Sequence, residues 1–114
     1  LPTVAPATVL AAALFEISSK GLGMTTVVDD NGGLMGVFTD GDLRRALDAK
    51  ADLNSTPIGD LMSTSVKTVT SDMLAAEALR IMEENKISSL AVVDGDSRVT
   101  GVVHLLSLLR AGIA

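Results

Sequence analysis

The sequence contains no cysteine, no tryptophan and no tyrosine, and its two aromatic residues are Phe15 and Phe38. Without cysteine the chain can form no disulfide and supplies neither a thiolate nucleophile nor a thiolate metal ligand. This composition is compatible with the reducing cytoplasm. Aromatic platforms on which nucleic-acid bases could stack are also lacking. Since 47% of the residues are hydrophobic, the chain can bury a core, and that core must be aliphatic.

An excess of positive charge and a long apolar run are missing as well. The net charge is −5, whereas nucleic-acid binding requires a basic surface. The most apolar early run, residues 5–15, is too short to span a bilayer, and no basic segment precedes it as in a signal peptide. We therefore expect a soluble, intracellular protein without nucleic-acid or membrane partners. Because the first residue is Leu1 rather than Met, we expect a fragment of a longer chain.

An internal repeat spans the whole chain. Shifting the sequence by 65 positions, so that Thr3 lies on Thr68, aligns its two halves without a gap. Val27-Val28-Asp29 then matches Val92-Val93-Asp94, and Gly36-Val37 matches Gly101-Val102. Matches of this kind along the full length predict two copies of one structural unit. We place the first copy at residues 1–49, a connector at 50–65 and the second copy at 66–114.

Each copy is predicted to contain an extended segment, a helix, two strands and a second helix. The predicted strands are 25–28, 34–38, 90–93 and 99–103, and the short second helices are 41–49 and 105–111. Pro6 is typical of the first turn of a helix, and Ser71 or Asp72 could cap the equivalent helix, which should end near Asn85. The aspartates between the strands are interpreted first as turn formers: Asp29, Asp30, Asp94 and Asp96.

The segment from Gly36 to Leu43, with the sequence GVFTDGDL, resembles the signature of the CBS domain. The segment from Ile58 to Met62 resembles the lead-in to a CBS repeat, and its counterpart is missing before Leu1. The resemblance covers essentially the whole chain. It implies an α/β (α+β) fold in which two βαββα repeats pack about a pseudo-twofold axis through their small sheets.

A narrower resemblance links the chain to arabinose-5-phosphate isomerases, whose C-terminal region is a CBS pair. The segments that carry it are Lys20–Thr25, Thr39–Leu47 and Leu108–Gly112. Those enzymes interconvert ribulose 5-phosphate and arabinose 5-phosphate on the route to the lipopolysaccharide sugar Kdo. The resemblance implies a bacterial, cytoplasmic, tetrameric parent whose N-terminal catalytic domain is absent here. Some sugar nucleotidyltransferases carry a similar Thr-Asp-Gly-Asp stretch and are an alternative parent.

The strongest candidate ligand-binding residues are Thr39, Gly41 and Asp42, at a strand-to-helix junction. Gly41 lets backbone amides approach a ligand closely, and the free N–H groups of a helix start suit a phosphate or a sugar hydroxyl. Spacing alone favours a simpler role, in which Thr39, Asp40 or Asp42 caps the helix. The CBS resemblance favours ligand binding, with Thr39 on a phosphate or ribose oxygen and Asp42 on a ribose diol.

A second, weaker group of candidates surrounds this junction and its repeat. By the resemblance, Met24 and Thr25 lie near the mouth of the pocket, while Thr3 and Thr68 lie beside the base. His104 and Ser107 replace Thr39 and Asp42 in the second copy, so the two sites should be unequal and the second weak. Metal binding by His104 is disfavoured, since no second histidine accompanies it. Arg44 and Arg45 could meet a phosphate or simply form a solvated helix face.

Two functions remain open for the chain, and catalysis is not one of them, because no nucleophile–base pair is present. The first is regulation by a nucleotide or sugar nucleotide, with AMP, ATP or the end product CMP-Kdo as candidates and no obligatory cofactor or metal. The second is structural, with the pair serving mainly to dimerise. In either case we expect a homodimer formed through helix faces rich in small and aliphatic residues. The terminal helix contains Leu105, Leu108, Leu109 and Ile113, of which part should cover the core and the remainder contact the partner.

Overall fold

Two three-stranded sheets, each accompanied by helices, make up the protein. The computed structural model describes residues 3–20, 23–105 and 108, with the backbone alone for 18–20. The first repeat contains β1 (Thr3–Val4), α1 (Leu10–Lys20), β2 (Met24–Val28), β3 (Leu34–Thr39) and α2 (Asp40–Asp48). The second contains β4 (Thr68–Thr70), α3 (Ala75–Asn85), β5 (Ser89–Val93) and β6 (Val99–His104). Most of the predicted helix 105–111 lies outside the described residues.

The two sheets have the same topology. β1 runs parallel to β2, which pairs antiparallel with β3, and β4, β5 and β6 repeat this order. Even the register shift recurs, between Val27 and Val28 in one sheet and between Val92 and Val93 in the other. The internal repeat and the mixed α/β fold predicted from the sequence are confirmed, and the predicted strand ends differ by at most one residue.

Aspartate side chains shape both hairpin turns. Asp29 Oδ1 accepts hydrogen bonds from the backbone N–H groups two and four residues further on, at 2.9 and 2.8 Å. Asp94 Oδ1 does the same in the second repeat, at 2.8 and 3.0 Å. Such Asx-type bonds replace backbone partners that a tight turn leaves unsatisfied. The interpretation of these two aspartates as turn formers is confirmed.

The starts of the long helices differ from the prediction. α1 begins at Leu10, so Pro6 lies before the helix, where its carbonyl accepts a hydrogen bond from the Gly59 N–H at 2.9 Å. The connector thus forms a hydrogen bond with a backbone carbonyl that an earlier helix start would use within the helix. In the second repeat the N-cap of α3 is Leu74, without a side-chain bond. Neither Ser71 nor Asp72 caps it, because Asp72 instead accepts a bond from the Thr70 hydroxyl.

Most of the buried apolar residues form two clusters, one in each repeat. The first contains Leu10, Ala13, Ile17, Val27, Phe38, Ala46 and Ile58, so the fully buried Phe38 is an exception to the expected aliphatic core. The second contains Val69, Ala78, Met82 and Leu90. Ile58 belongs to the connector, where a short 3-10 helix (Ile58–Asp60) turns its side chain fully into the first cluster. The connector is therefore part of the first repeat's core, and burying Ile58 stabilises that core by about 2 kcal/mol.

Backbone hydrogen bonds join the two hairpins, and we call this the hairpin contact. The Leu34 N–H donates to the Ser97 carbonyl at 2.9 Å, and the Val99 N–H donates to the Gly32 carbonyl at 3.0 Å. Leu34 and Val99 are equivalent by the repeat, as are Gly32 and Ser97, so the two bonds are related by the pseudo-twofold axis. The sheets are thereby joined at their turns, between Gly33 and Arg98.

Candidate functional site

A cleft of about 770 Å³ lies between the repeats, and we call it the inter-repeat cleft. This volume is in the range of small-molecule binding sites. Three segments line much of it: the end of β3 with the start of α2, residues 63–67, where the connector meets the second repeat, and residues 85–89, which join α3 to β5. A ligand in this cleft would contact both repeats and the chain that links them.

A capping box forms the start of α2 on one wall of the cleft. Thr39 is the N-cap in an extended conformation, and its hydroxyl oxygen accepts from the Asp42 N–H at 3.3 Å. In return, Asp42 Oδ2 accepts from the Thr39 N–H at 3.0 Å. The helix-cap interpretation is therefore correct for this pair. Thr39 and Gly41 also line the cleft, so capping leaves them in position to contact a ligand.

The Asp42 carboxylate is enclosed by hydrogen-bond donors. Its Oδ1 accepts from Arg45 Nη2 at 2.6 Å and from the Ser63 hydroxyl at 2.8 Å. Its side chain is only 4% exposed and does not line the cleft. A ribose diol can reach this carboxylate only if Arg45 or Ser63 moves away. Direct contact between Asp42 and a diol stays a prediction.

Electrostatics keep this buried carboxylate ionised. Burial alone would raise the pKa of Asp42, but hydrogen bonds from Arg45, Ser63 and Thr39 outweigh burial and hold the pKa below its ordinary value. Each of these donors stabilises the charged form. Asp42 thus links the first turn of α2 to the connector through a charged, fully satisfied group.

Positive charge predominates along the cleft although the whole chain is acidic. Of the described residues that line it, Arg45, Lys67 and Lys86 are cationic and only Asp40 is acidic. Lys86 closes the C-terminal end of α3 in the left-handed conformation, with φ 54°. The first repeat has Gly21 at the equivalent position, the residue type that this conformation favours. Lys86 adopts this conformation at a cost in free energy and places a positive charge at the cleft.

The remaining predicted residues separate into those on the cleft and those away from it. Met24 and His104 line the cleft, so the structure brings His104 and Thr39 to one site, although the sequence assigned them to two. Thr3, Thr25 and Thr68 do not line it: Thr3 pairs with Thr26 and Thr68 with Ala91 in the sheets, and Thr25 is fully buried. Ser107 lies outside the described residues.

Sequence reasoning missed Ser63 in the connector and Lys86 in the loop after α3. Both line the cleft, yet no motif identified them. Val66 and Lys67 also line it, next to Thr68 in the segment that the resemblance placed beside the base. One signal was available, since Lys86 stands where the sequence of the first repeat has a glycine, Gly21. A charged residue in place of that glycine could have marked the loop.

Comparison with known proteins gives the family. The sequence model of the CBS domain matches residues 1–49 and 58–114. The chain belongs to the CBS-domain family. The two matched stretches cover the two repeats, and the resemblance inferred from the GVFTDGDL segment is confirmed.

The curated relatives of this CBS pair include arabinose 5-phosphate isomerases named KdsD. The protein from Pseudomonas aeruginosa is 53% identical over 113 residues, which are 99% of this chain and 35% of that protein. The Yersinia pestis protein is 46% identical and the Escherichia coli K12 protein 43%, each over 99% of this chain and 34% of theirs. The chain therefore spans about a third of the length of these relatives.

Solved CBS structures have the same fold. CBSX2 in complex with AMP superposes with a TM-score of 0.84 at 31% identity, over 99% of this chain and 87% of that chain. The CBS pair of MJ0100, in complex with 5′-methylthioadenosine and S-adenosyl-L-methionine, superposes with a TM-score of 0.83 at 26% identity. The match covers 97% of this chain and 91% of that chain. In the part of this chain that the structure describes, every helix falls short of the length and apolar character needed to cross a membrane.

Proposed function

We propose that this CBS pair is a regulatory module that binds a nucleotide or sugar nucleotide in the inter-repeat cleft. The observation that carries the proposal is the cleft itself, with the start of α2 on one wall and cationic side chains around it. A ligand that prefers one arrangement of the repeats would shift the conformational populations of an attached enzyme. The AMP and S-adenosyl-L-methionine complexes of related CBS structures support an adenine-containing ligand.

The proposed parent is a bacterial, cytoplasmic arabinose-5-phosphate isomerase, whose activity resides outside this chain. The KdsD relatives support this parent, and the alternative is another CBS-bearing enzyme such as a sugar nucleotidyltransferase. Candidate ligands are AMP, ATP and CMP-Kdo, the last because an end product is suited to feedback control. The proposal keeps repeat 1 at 1–49, the connector at 50–65 and repeat 2 at 66–114.

Within the cleft we assign the ligand contacts chiefly to Thr39 and Gly41. Both lie at the start of α2, where backbone N–H groups lack helical partners and attract anions. Met24 and His104 contribute from the β2 and β6 ends, which meet at the same cleft. Asp42 lies behind this surface and takes part directly only if one of its donors is displaced.

Isothermal titration calorimetry with AMP, ATP and CMP-Kdo tests the proposal. We expect at least one of them to bind, with an affinity that falls as salt rises because the cleft is cationic. The matched nucleosides adenosine and cytidine serve as uncharged controls. Absence of binding by all three nucleotides, in calorimetry and in thermal-shift assays, would contradict a regulatory ligand site.

A second candidate function is structural dimerisation, and α1 carries the observation that favours it. Phe15 is 75% exposed on this helix and Ala12 is exposed beside it. The equivalent positions on α3 are Arg80 and Glu77, which form an ion pair at 3.8 Å. α1 therefore presents apolar surface where α3 presents charged side chains, and such a surface is suited to contact with a second copy of the chain. Sedimentation velocity should show a dimer that Phe15→Glu dissociates, whereas a wild-type monomer at high concentration would exclude this function.

A further inference from the structure

Arg45 and Arg44 are neighbours in α2, but only Arg45 lines the inter-repeat cleft. Building on the ligand site proposed above, we propose that Arg45 is the side chain that recognises the phosphate of the ligand. Asp42 is then the positioning residue that holds Arg45 at the cleft wall. The phosphate contact therefore lies nearly two helical turns beyond Thr39, for which the CBS resemblance implies contact with a phosphate or ribose oxygen.

The placement of the Arg45 guanidinium supports this assignment. Its Nη2 donates to Asp42 Oδ1 at 2.6 Å, and both terminal nitrogens lie 3.6 Å from the point that a Cβ on Gly41 would occupy. The guanidinium thus lies against the first turn of α2, where backbone N–H groups already favour an anion. Its side chain is nevertheless 71% exposed, so its outer face is open to a ligand.

The hydrogen-bonding capacity of the two partners points in the same direction. The Asp42 carboxylate already accepts from the Thr39 N–H and hydroxyl, Arg45 and Ser63, which fills its four lone-pair sites. A guanidinium has five N–H donors, and one of those of Arg45 is engaged with Asp42. Arg45 can therefore bind a second oxyanion without breaking the first contact, whereas Asp42 cannot accept a further donor.

The charges across the cleft define the class of group that fits. Lys67 and Lys86 line the cleft together with Arg45. These two lysines are exposed, flexible point charges, while the Arg45 guanidinium is anchored at one nitrogen by its hydrogen bond to Asp42. Planar guanidinium groups bind phosphate oxygens in pairs. We therefore assign orientation of the phosphate to Arg45 and general attraction of anions to the two lysines.

Arg45→Gln, with Arg44→Gln as the matched control, tests this assignment in the 114-residue chain. Calorimetry is performed with two pairs of probes, AMP with adenosine and CMP with cytidine, so that each pair differs only by the phosphate. The wild type should bind a nucleotide at least about tenfold more tightly than its nucleoside. Arg45→Gln should lower the nucleotide affinity about ten- to a hundred-fold and bring the two affinities within about threefold of each other.

Asp42→Asn separates positioning from mere structural support. The amide keeps a cap acceptor but loses the charge that fixes Arg45, so the nucleotide-to-nucleoside ratio should fall part of the way while nucleoside binding persists. An unchanged ratio in Arg45→Gln, or an equal fall in Arg44→Gln, would overturn the inference and leave the proposed ligand site standing. If neither nucleotide bound to the wild type, the proposed function and this inference would both fail.

Discussion

At the scale of single residues, Asp42 joins three parts of the protein. It caps α2 through Thr39, orients Arg45 and fastens the connector through Ser63. We expect Asp42→Asn to lower the free energy of unfolding by about 1–3 kcal/mol at neutral pH, because hydrogen bonds to a buried charged acceptor are lost. Urea unfolding measures this loss. Asp48→Asn, at an exposed position of the same helix, is the control and should change stability by less than about 0.5 kcal/mol.

The stabilisation from Asp42 should depend on pH in a defined direction. Because the folded protein lowers the pKa of this carboxyl, its contribution is complete above the ordinary value of 3.8 and is lost as pH falls through the folded-state pKa. The stability difference between wild type and Asp42→Asn should therefore be constant near neutrality and shrink in acid. A difference that grew on acidification would show that the carboxyl is not stabilised in its charged form.

A substitution at Gly41 should distinguish an effect on ligand binding from an effect on folding stability. A Cβ added there would make ordinary contacts of 3.6 Å, and the residue lies in a helix, where alanine is favourable. Gly41→Ala should therefore keep or slightly raise stability in thermal unfolding. The added methyl would lie beside the Arg45 and Thr39 side chains, which line the cleft, so nucleotide affinity should fall several-fold in calorimetry. Unchanged affinity would show that the ligand does not approach this backbone.

At the scale of secondary-structure elements, the hairpin contact contains an asymmetry between the repeats. The equivalent residues Gly32 and Ser97 both have positive φ angles, 81° and 61°. This conformation costs a non-glycine residue roughly 1–2 kcal/mol, while glycine adopts it freely. Ser97→Gly should raise the free energy of unfolding by about 0.5–1 kcal/mol, and Gly32→Ala should lower it by about 1 kcal/mol. Since nothing lies within 4 Å of a Cβ on Gly32, a loss there would be conformational rather than steric.

The sequence predicted those elements whose signals are local. Short β-rich runs and the turn-forming residues between them located the four hairpin strands, and the GVFTDGDL segment located the start of α2. It could not predict contacts between distant segments, such as the bond between Ser63 and Asp42, which are 21 residues apart. The same limitation explains the wrong helix start near Pro6, since the connector that occupies this backbone arrives some fifty residues later.

At the scale of the whole molecule, the two repeats use the connector differently. Among residues 3–20, 23–105 and 108, the first cluster includes Ile58 from the connector, whereas the second consists of Val69, Ala78, Met82 and Leu90 from its own repeat. A unit of this size is marginal on its own. We expect residues 65–114, expressed alone, to lack a cooperative unfolding transition by circular dichroism and calorimetry. A stable monomer that unfolds cooperatively would show that the second repeat does not depend on the first.

The crossed pair of hydrogen bonds at the hairpin contact also bears on the history of the chain. In each bond a residue of one repeat meets the non-equivalent partner in the other, as in an isologous interface between identical subunits. Two separate copies of a single repeat could therefore have made this contact before gene duplication and fusion. Once the two copies are parts of one chain, their sequences can diverge, because a substitution in one copy no longer appears in both. Lys86 opposite Gly21 and His104 opposite Thr39 are divergences that a homodimeric ancestor could not have carried on one side alone.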